Sequence, residues 1–534
     1  MRELTSMQAA CWVGRESTAA LGNVAAHLYA EFDGPKLDPE RLQVALDRLV
    51  LRHPMLRLRV DANGIQNIDN KYEKRLVSIE DLRDFQDESC RQRLDAKRQM
   101  WSGRKLDLSR GQAADFGLTL LPRGRCRLHV DTDMIAIDPR SFLIVMEDLA
   151  RLYEAEHPDK IEIKNDTTSP PAYFVWLDRL KVDSALGQQR DRDRQWWRNR
   201  LAYIPPAPPL PLKAMDGTTP PRSDRLAAWL SPAERASLEG VARNQRITTS
   251  SLALGLFAAV LGAALKTAQF RLSVPMFWRE PVIERVESIV GEFSNMVILG
   301  VDLTQANTLG QLCTQIAGQM MDLLAHSAYP GVSVMRDLSR HHGTMQSSPV
   351  VFTSGLGMPG GNLLSERVTR VFGKMDWVIS QGAQVALDAQ IAELDDGLLI
   401  NWDIRREALP DSFIHSLFDA YVALLQRVAA QPEHMDATIE DGFTPTEKML
   451  ITLLQRLTPH GNHCADGNIA MIGPNEQAEL RDFINRYVPH AALTDHDIVT
   501  HGTAHQLAKL LHSRSDGASC AIARVFLQTV DTAA

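Results

Sequence analysis

An α/β protein of more than one lobe is the fold class that the sequence predicts, and three observations predict it. The chain has 534 residues, well past the size at which a single hydrophobic core stops growing. Stretches with the alternation of half-buried strands are interleaved with stretches whose apolar residues recur at helical spacing. Between two such sets lies the proline-rich run Ile204 to Leu212, which has too few backbone donors for a sheet interior and reads as an extended linker pinned across a surface.

The first set opens with Leu42 to Val50, a helix by its apolar spacing, ended by Arg52-His53-Pro54 because proline disfavours a helical residue before it. Leu56 to Val60 alternates like a strand, and Asp61 to Gly64 is a turn. Residues 80–110 read as a solvated helix and loop. Phe116 to Leu121 and Arg127 to Asp133 are two strands joined by Pro-Arg-Gly. Ser141 to Tyr153 carries the apolar stripe Phe142, Val145, Met146, Leu149 and Leu152 of a helix. A helix is expected from the Pro170-Pro171 pair to about Leu201.

In the second set, strands are expected at Phe270–Pro275, Met296–Val301, Pro349–Thr353, Val378–Leu387 and Leu398–Trp402. Helices are expected at Thr249–Leu265, Leu309–Leu324 and Asp411–Ala430. A boundary falls between Pro432 and Thr446, and a short helix-rich tail follows. The organisation expected is therefore an N-terminal lobe over 1–170, a C-terminal lobe over 171–435 and a small helical domain over 440–534.

With 58 Lys and Arg against 66 Asp and Glu, the net charge is −8, which argues against general nucleic-acid binding. Cys11, Cys90, Cys126, Cys313, Cys464 and Cys520 show no paired spacing and read as reduced thiols, consistent with a cytoplasmic protein. The N-terminus lacks a basic stretch followed by an apolar one, so no signal peptide is expected. The most apolar segment, Leu252 to Leu265, is too short to span a bilayer. His463, Cys464, His496, His501 and His505 match no zinc spacing, and no metal is expected.

The chemistry-bearing feature is a loop between strand and helix, where Asp133 and Asp138 flank the apolar tetrapeptide Met134 to Ile137 and Ser141 follows. Carboxylates in such a setting need partners. On the residues alone they are either buried structural pairs or a catalytic dyad. The spacing Asp-x4-Asp-x2-Ser resembles the signature of the heterocyclization domains of nonribosomal peptide synthetases, relatives of condensation domains. Further matches follow in that family's order over roughly residues 4–435. Leu4 to Arg15, with Gln8 and ending in Gly14-Arg15, resembles the opening motif, and Arg52-His53-Pro-Met-Leu56 the second. Trp197 with the proline-rich run resembles the crossover between halves. Gly291-Glu-Phe-Ser294-Asn295 resembles Gly-Asp-Phe-Thr, with Glu and Ser substituted. Pro349 to Ser354 resembles a core strand, and Ser380-Gln381-Gly-Ala-Gln384-Val-Ala-Leu-Asp388 resembles Ser-Gln-Thr-Pro-Gln-Val-x-Leu-Asp.

The resemblance implies two chloramphenicol-acetyltransferase-like lobes in a V-shaped pseudodimer. It also implies a two-stage reaction between substrates carried on the phosphopantetheine of upstream donor and downstream acceptor carrier proteins, with no cofactor of the domain's own. A carrier-bound acyl group condenses with a carrier-bound Cys, Ser or Thr. Cyclodehydration then gives a thiazoline or oxazoline, of the kind found in siderophores. It makes Asp388 and Thr353 the cyclodehydration pair. Asp388 ends an apolar strand, a setting that raises a carboxyl pKa, although Thr353 read alone is more readily a strand threonine satisfied by backbone. Asp138 is expected to pair with Arg279 in Phe-Trp-Arg-Glu-Pro and shape the tunnel together with Ser141, Ser294, Asn295, Gln381 and Gln384. Asp133 either assists condensation or is structural. Gly382-Ala383, standing where the family has Thr-Pro, frees the loop that aims Asp388 and leaves open a condensation-only acyltransferase or a carrier-binding scaffold.

The tail segment Leu493 to Leu511 resembles the last helices of a peptidyl carrier protein. Glu476, in Ile472-Gly-Pro-Asn-Glu476, stands where a carrier needs the serine that holds phosphopantetheine. A degenerate carrier fold acting beside a domain that works in trans is the organisation expected.

Overall fold

A computed structural model describes the chain apart from residues 1, 17–20, 69–75, 158–169, 214–220, 358–361, 440–444, 458–468, 470, 471, 489, 490, 516–518, 520, 521, 524 and 528–534. His463, Cys464, Cys520 and the junction expected at residue 440 lie outside the described residues. The chain divides into two compact units. One comprises Met1–Ala253, Arg271–Leu299 and Ala317–Pro432; the other comprises Leu254–Phe270, Gly300–Ile316 and Glu433–Ala534.

In chain order the strands are β1 (Arg2–Glu3), β2 (His27–Pro35), β3 (Leu58–Val60), β4 (Ile65–Ile68), β5 (Ser78–Asp81), β6 (Ala114–Leu121), β7 (Arg125–Asp133), β8 (Ser223–Leu230), β9 (Gln269–Met276), β10 (Asn295–Asp302), β11 (Val350–Gly355), β12 (Lys374–Gln381), β13 (Leu387–Leu394) and β14 (Gly397–Arg405). They form a small sheet β1-β4-β3, a five-stranded sheet β12-β2-β7-β6-β5 and a six-stranded sheet β10-β9-β11-β13-β14-β8. Mixed sheets with helices against them make this an α/β fold.

The hairpin β6–β7 forms where alternation and the Pro-Arg-Gly turn predict it, with Leu121 opposite Arg125. The helix Pro139–Glu154 follows. Its start is fixed by Asp138, whose carboxylate accepts the Ser141 N–H at 2.6 Å, and by proline in its first turn, the usual N-terminal signature. Its stripe Phe142, Val145, Met146 and Leu149 is buried in one core with Phe32, Leu46 and Leu128.

Two predicted elements are corrected. Val378–Leu387 is not one strand. β12 ends at Gln381 in the five-stranded sheet, paired with β2, and β13 begins at Leu387 in the six-stranded sheet. The segment 382–386 carries the chain from one sheet to the other, with Gln384 in the left-handed region at φ 63°. The helix expected up to Leu201 is two, Ala172–Val182 and Ser184–Arg198. Asp183 ends the first and caps the second by accepting the Leu186 N–H at 3.0 Å. The proline-rich run is pinned as expected, because Arg271 donates to the Pro205 carbonyl at 2.8 Å and its own N–H to that of Pro206 at 2.9 Å.

In the tail, helices Pro445–Leu457, Pro474–Tyr487, Asp495–Thr500 and Ala504–Arg514 share a core of their own that includes Leu450, Leu454, Leu480, Ile484, Leu507 and Leu511. No single helix among the described residues is long and apolar enough to cross a membrane.

Candidate active site

A cavity of about 280 Å³ opens within the first unit. Its wall gathers Met7 and Cys11 from the helix Ser6–Glu16, Ser273 of β9, Val351 and Thr353 of β11, Met335 of the helix Gly331–His342, and Ser380, Gly382 to Val385 and Asp388. Of the residues singled out in the sequence, Thr353, Asp388, Ser294, Asn295 and Gln384 line it.

Strands β11 and β13 run parallel, with Val351 beside Asp388 and Thr353 beside Gln390. Thr353 Oγ1 donates to Asp388 Oδ1 at 2.8 Å, and Gln390 Nε2 donates to Asp388 Oδ2 at 2.9 Å. Burial pushes the Asp388 carboxyl up to about 7, against the pull of those two donors. What surface it retains faces the cavity, so it is open to a ligand there while poorly solvated. A carboxyl with this pKa is present in both protonation states at neutral pH, which is what general acid–base chemistry asks of it.

The aspartates of the opening loop stand elsewhere. Asp133 and Asp138 are fully buried and are not part of the cavity wall, to which their loop contributes Met134 and Pro139. The Asp133 carboxylate pairs with Arg15 of the opening motif and accepts the Ile135 N–H at 3.0 Å. Burial raises its pKa against the opposing pull of Arg15. This geometry departs from a catalytic placement for Asp133, since a carboxyl so enclosed has no face to offer a substrate.

Asp138 pairs with Arg279 at 3.3 Å, and Arg279 also donates to Ser141 Oγ at 2.9 Å. Ser141 Oγ in turn donates to the Gly291 carbonyl at 2.8 Å. The Gly291–Asn295 segment is thereby held to the start of the helix Pro139–Glu154. Gln381 is buried and bonded to Ser223, off the cavity wall.

Two groups were missed in the sequence. Glu292, noted there only as a substitution, lines the cavity and accepts from Thr5 and Ser294. Burial first, with Asp138 adding to it, lifts its carboxyl to about 8. Asp403 of β14 lies directly across from Asp388 in the antiparallel pair. An acidic residue set between Trp402 and Ile404 was the available signal for it.

The altered Gly382-Ala383 loop has a fitted partner. A methyl on Gly14 would lie 2.2 Å from the Ala383 Cβ, far inside contact distance. We expect Gly14→Ala to displace this loop, lower stability by about 1–3 kcal/mol and reduce turnover. Adding Ala383→Gly should restore both; paired thermal melts and product assays of the single and double variants check it.

Residues 1–449 match the condensation-domain family. The chain belongs to the condensation-domain family. Among condensation domains, its solved likenesses include the cyclization-docking bidomain of EpoB from Sorangium cellulosum, at 29% identity and TM-score 0.70 over 81% of this chain and 84% of that one. Phenyloxazoline synthase MbtB of Mycobacterium tuberculosis is 40% identical over 437 residues, 81% of this chain and 30% of MbtB. Pyochelin synthetase PchE of Pseudomonas aeruginosa is 32% identical over 429 residues, 80% of this chain and 29% of PchE. The chain thus spans under a third of those two relatives. Within the condensation-domain family it is of the heterocyclization type.

Proposed function

We propose that this condensation-family chain forms thiazoline or oxazoline rings from carrier-bound substrates in the cytosol. The observation that carries the reading is Asp388 on the cavity wall, held by Thr353 at 2.8 Å and poised near neutrality. The amine of a Cys, Ser or Thr on an acceptor carrier attacks an acyl thioester on a donor carrier, releasing the carrier thiol and leaving an amide. The side-chain thiol or hydroxyl then adds to the amide carbonyl carbon. Protonated Asp388 gives its proton to the resulting hydroxyl, the C–O bond breaks and water leaves. The nitrogen gives its proton back to the Asp388 carboxylate as the C=N bond forms. Thr353 orients the carboxyl through both transfers. The phosphopantetheine arms belong to the carriers, and the domain brings no cofactor.

Residues 1–170 and 171–435 serve in this reading as the two lobes, and 440–534 as a carrier-like domain without a pantetheinylation site. Supporting the last point, Glu476 sits in the first turn of the helix Pro474–Tyr487, whose first residue is proline. The test supplies the full chain with donor and acceptor carriers loaded with acyl and cysteinyl groups and weighs the product. Loss of one water beyond amide formation is the expected result. A linear amide would mean condensation only, and no product would mean a scaffold that binds carriers.

A further inference from the structure

The register of the six-stranded sheet lines up three charged side chains in one row. Asp388 of β13 is opposite Asp403 of β14, which is opposite Arg225 of β8. Two carboxyls directly opposed across a strand pair repel when both are charged. Here Asp403 is buried, and the pair is stitched by one amide, because Gln390 Nε2 donates to Asp388 Oδ2 at 2.9 Å and to Asp403 Oδ2 at 2.7 Å. Asp403 is fixed further by the Ser380 N–H at 2.6 Å and by Asn401 Nδ2 at 3.2 Å. Ser380 is the next-to-last residue of β12, just before the loop that leads to Asp388, so Asp403 anchors both ends of that segment.

The remaining groups around the row are cationic or distant from the carboxyl pair. Arg225 faces Asp403 from β8, and beyond it stand Asp376 of β12 and Arg98 of the helix Asp87–Ser102. Arg405, on the same strand, is taken up by Glu407 and the Leu21 carbonyl. The row therefore holds one guanidinium against two carboxyls, enough to balance one negative charge.

We infer that Asp403 is a positioning residue for cyclodehydration: it shares one negative charge with Asp388 and, through the Gln390 amide, holds that carboxyl against the cavity wall. This deepens the heterocyclization reading and rests on it. While Asp403 keeps its proton, Asp388 can lose and regain its own as the hydroxyl departs and the nitrogen is deprotonated, and no second charge builds up in the row. Burial first, then the charge of Asp388, raises the Asp403 carboxyl, and burial raises Asp388 against the pull of Thr353 and Gln390. Coupled groups of this kind titrate as a pair in two macroscopic steps.

The test is a carboxyl infrared titration of the full chain with isotope-labelled aspartate, run beside the pH profile of product formation. Wild type should show two ionisations near neutrality. Asp403→Asn should keep one, and the alkaline step of the cyclization profile should vanish with it while amide formation is unchanged. Asp388→Asn should leave Asp403 titrating at lower pH than in wild type, by the reciprocity of linkage. Thermal stability adds a signed readout. A carboxyl raised on folding stabilises below its unfolded pKa and loses that contribution as pH rises through its folded value. The melting temperature of Asp403→Asn minus that of wild type should therefore grow from pH 5 to pH 9.

Two ionisations persisting in Asp403→Asn, or an unmoved Asp403 titration in Asp388→Asn, would overturn the inference. If Asp403→Asn does not fold, the Asp388→Asn titration alone decides. A wild-type chain that releases only linear amide would sink the heterocyclization reading, and the infrared arm would still settle whether the two aspartates share charge.

Discussion

Asp388→Asn is expected to slow ring formation by roughly 10²–10⁴-fold, the range that a positioned acid–base group contributes, while the linear amide accumulates at close to the wild-type rate. The split follows from where the proton is needed. Attack of a neutral amine on a thioester expels a thiolate, a good leaving group. Dehydration must expel hydroxide unless a proton arrives with it, and Asp388 is a carboxyl on the cavity wall, held by Thr353 and Gln390 and lifted by burial to about 7. Asparagine keeps the shape and can still accept from Thr353, so the site stays formed and loses only the transferable proton. Quenched time courses, with the amide and the dehydrated product resolved by mass, check it. Equal loss of both products would remove Asp388 from its assigned role.

Thr353→Val should act in the same direction with less force and with a different signature. The threonine donor favours the ionised carboxylate, so removing it raises the Asp388 pKa further. The cyclization profile should shift toward higher pH as well as fall in height, which loss of packing alone would not do.

Much of the fold was legible because local pattern and tertiary burial agree in it. The helices Thr249–Leu265 and Asp411–Ala430 appear with the bounds that their apolar spacing predicts, and β6–β7 has a turn that names itself. β2 escaped notice since six consecutive positions, His27 to Phe32, are buried. A strand covered on both faces loses its alternation. It also carries Glu31, which looks like a surface residue until Arg98 and Arg127 arrive beside it from distant parts of the chain. β12 and β13 merged into one strand because periodicity records which residues alternate and is blind to the sheet in which they pair.

The site divides along the same line. Thr353 and Asp388 were reached through resemblance to a family, and no spacing rule joins two residues 35 positions apart. Asp403 and Gln390 depend on cross-strand register, which sequence does not display. The loop aspartates were conspicuous in the sequence because they bracket apolar residues, and the same feature takes their carboxyls into the protein interior, where they meet Arg15 and Arg279.

Removing Arg279 should cost the first unit about 3–5 kcal/mol, the penalty for leaving one member of a buried ion pair without the other. The guanidinium is fully buried and nearly every direction around it is used. It donates to the carbonyls of Val286 at 3.2 Å, Glu287 at 3.2 Å and Ile289 at 2.7 Å, and it stacks 4.2 Å from the centre of the Phe293 ring. Arg279→Met fills the volume but takes a donor from each of those carbonyls and the counter-charge from the buried Asp138 carboxylate together. Asp138→Asn should cost less, since the amide oxygen can still accept from the Ser141 N–H and from Arg279, while the charge and the bond from the Phe293 N–H are lost. Because the two side chains are in contact, the double variant should fall short of the sum by about 0.5–3 kcal/mol. Urea midpoints of the four proteins measure this directly, and additive losses would show that the pair is not a unit. The catalytic consequence also differs from that of Asp388. Asp138 and Arg279 hold Gly291–Asn295, the segment that presents Glu292 and Ser294 to the cavity. Whatever fraction of Arg279→Met folds should therefore lose amide formation and ring closure together, because the cavity wall itself has moved.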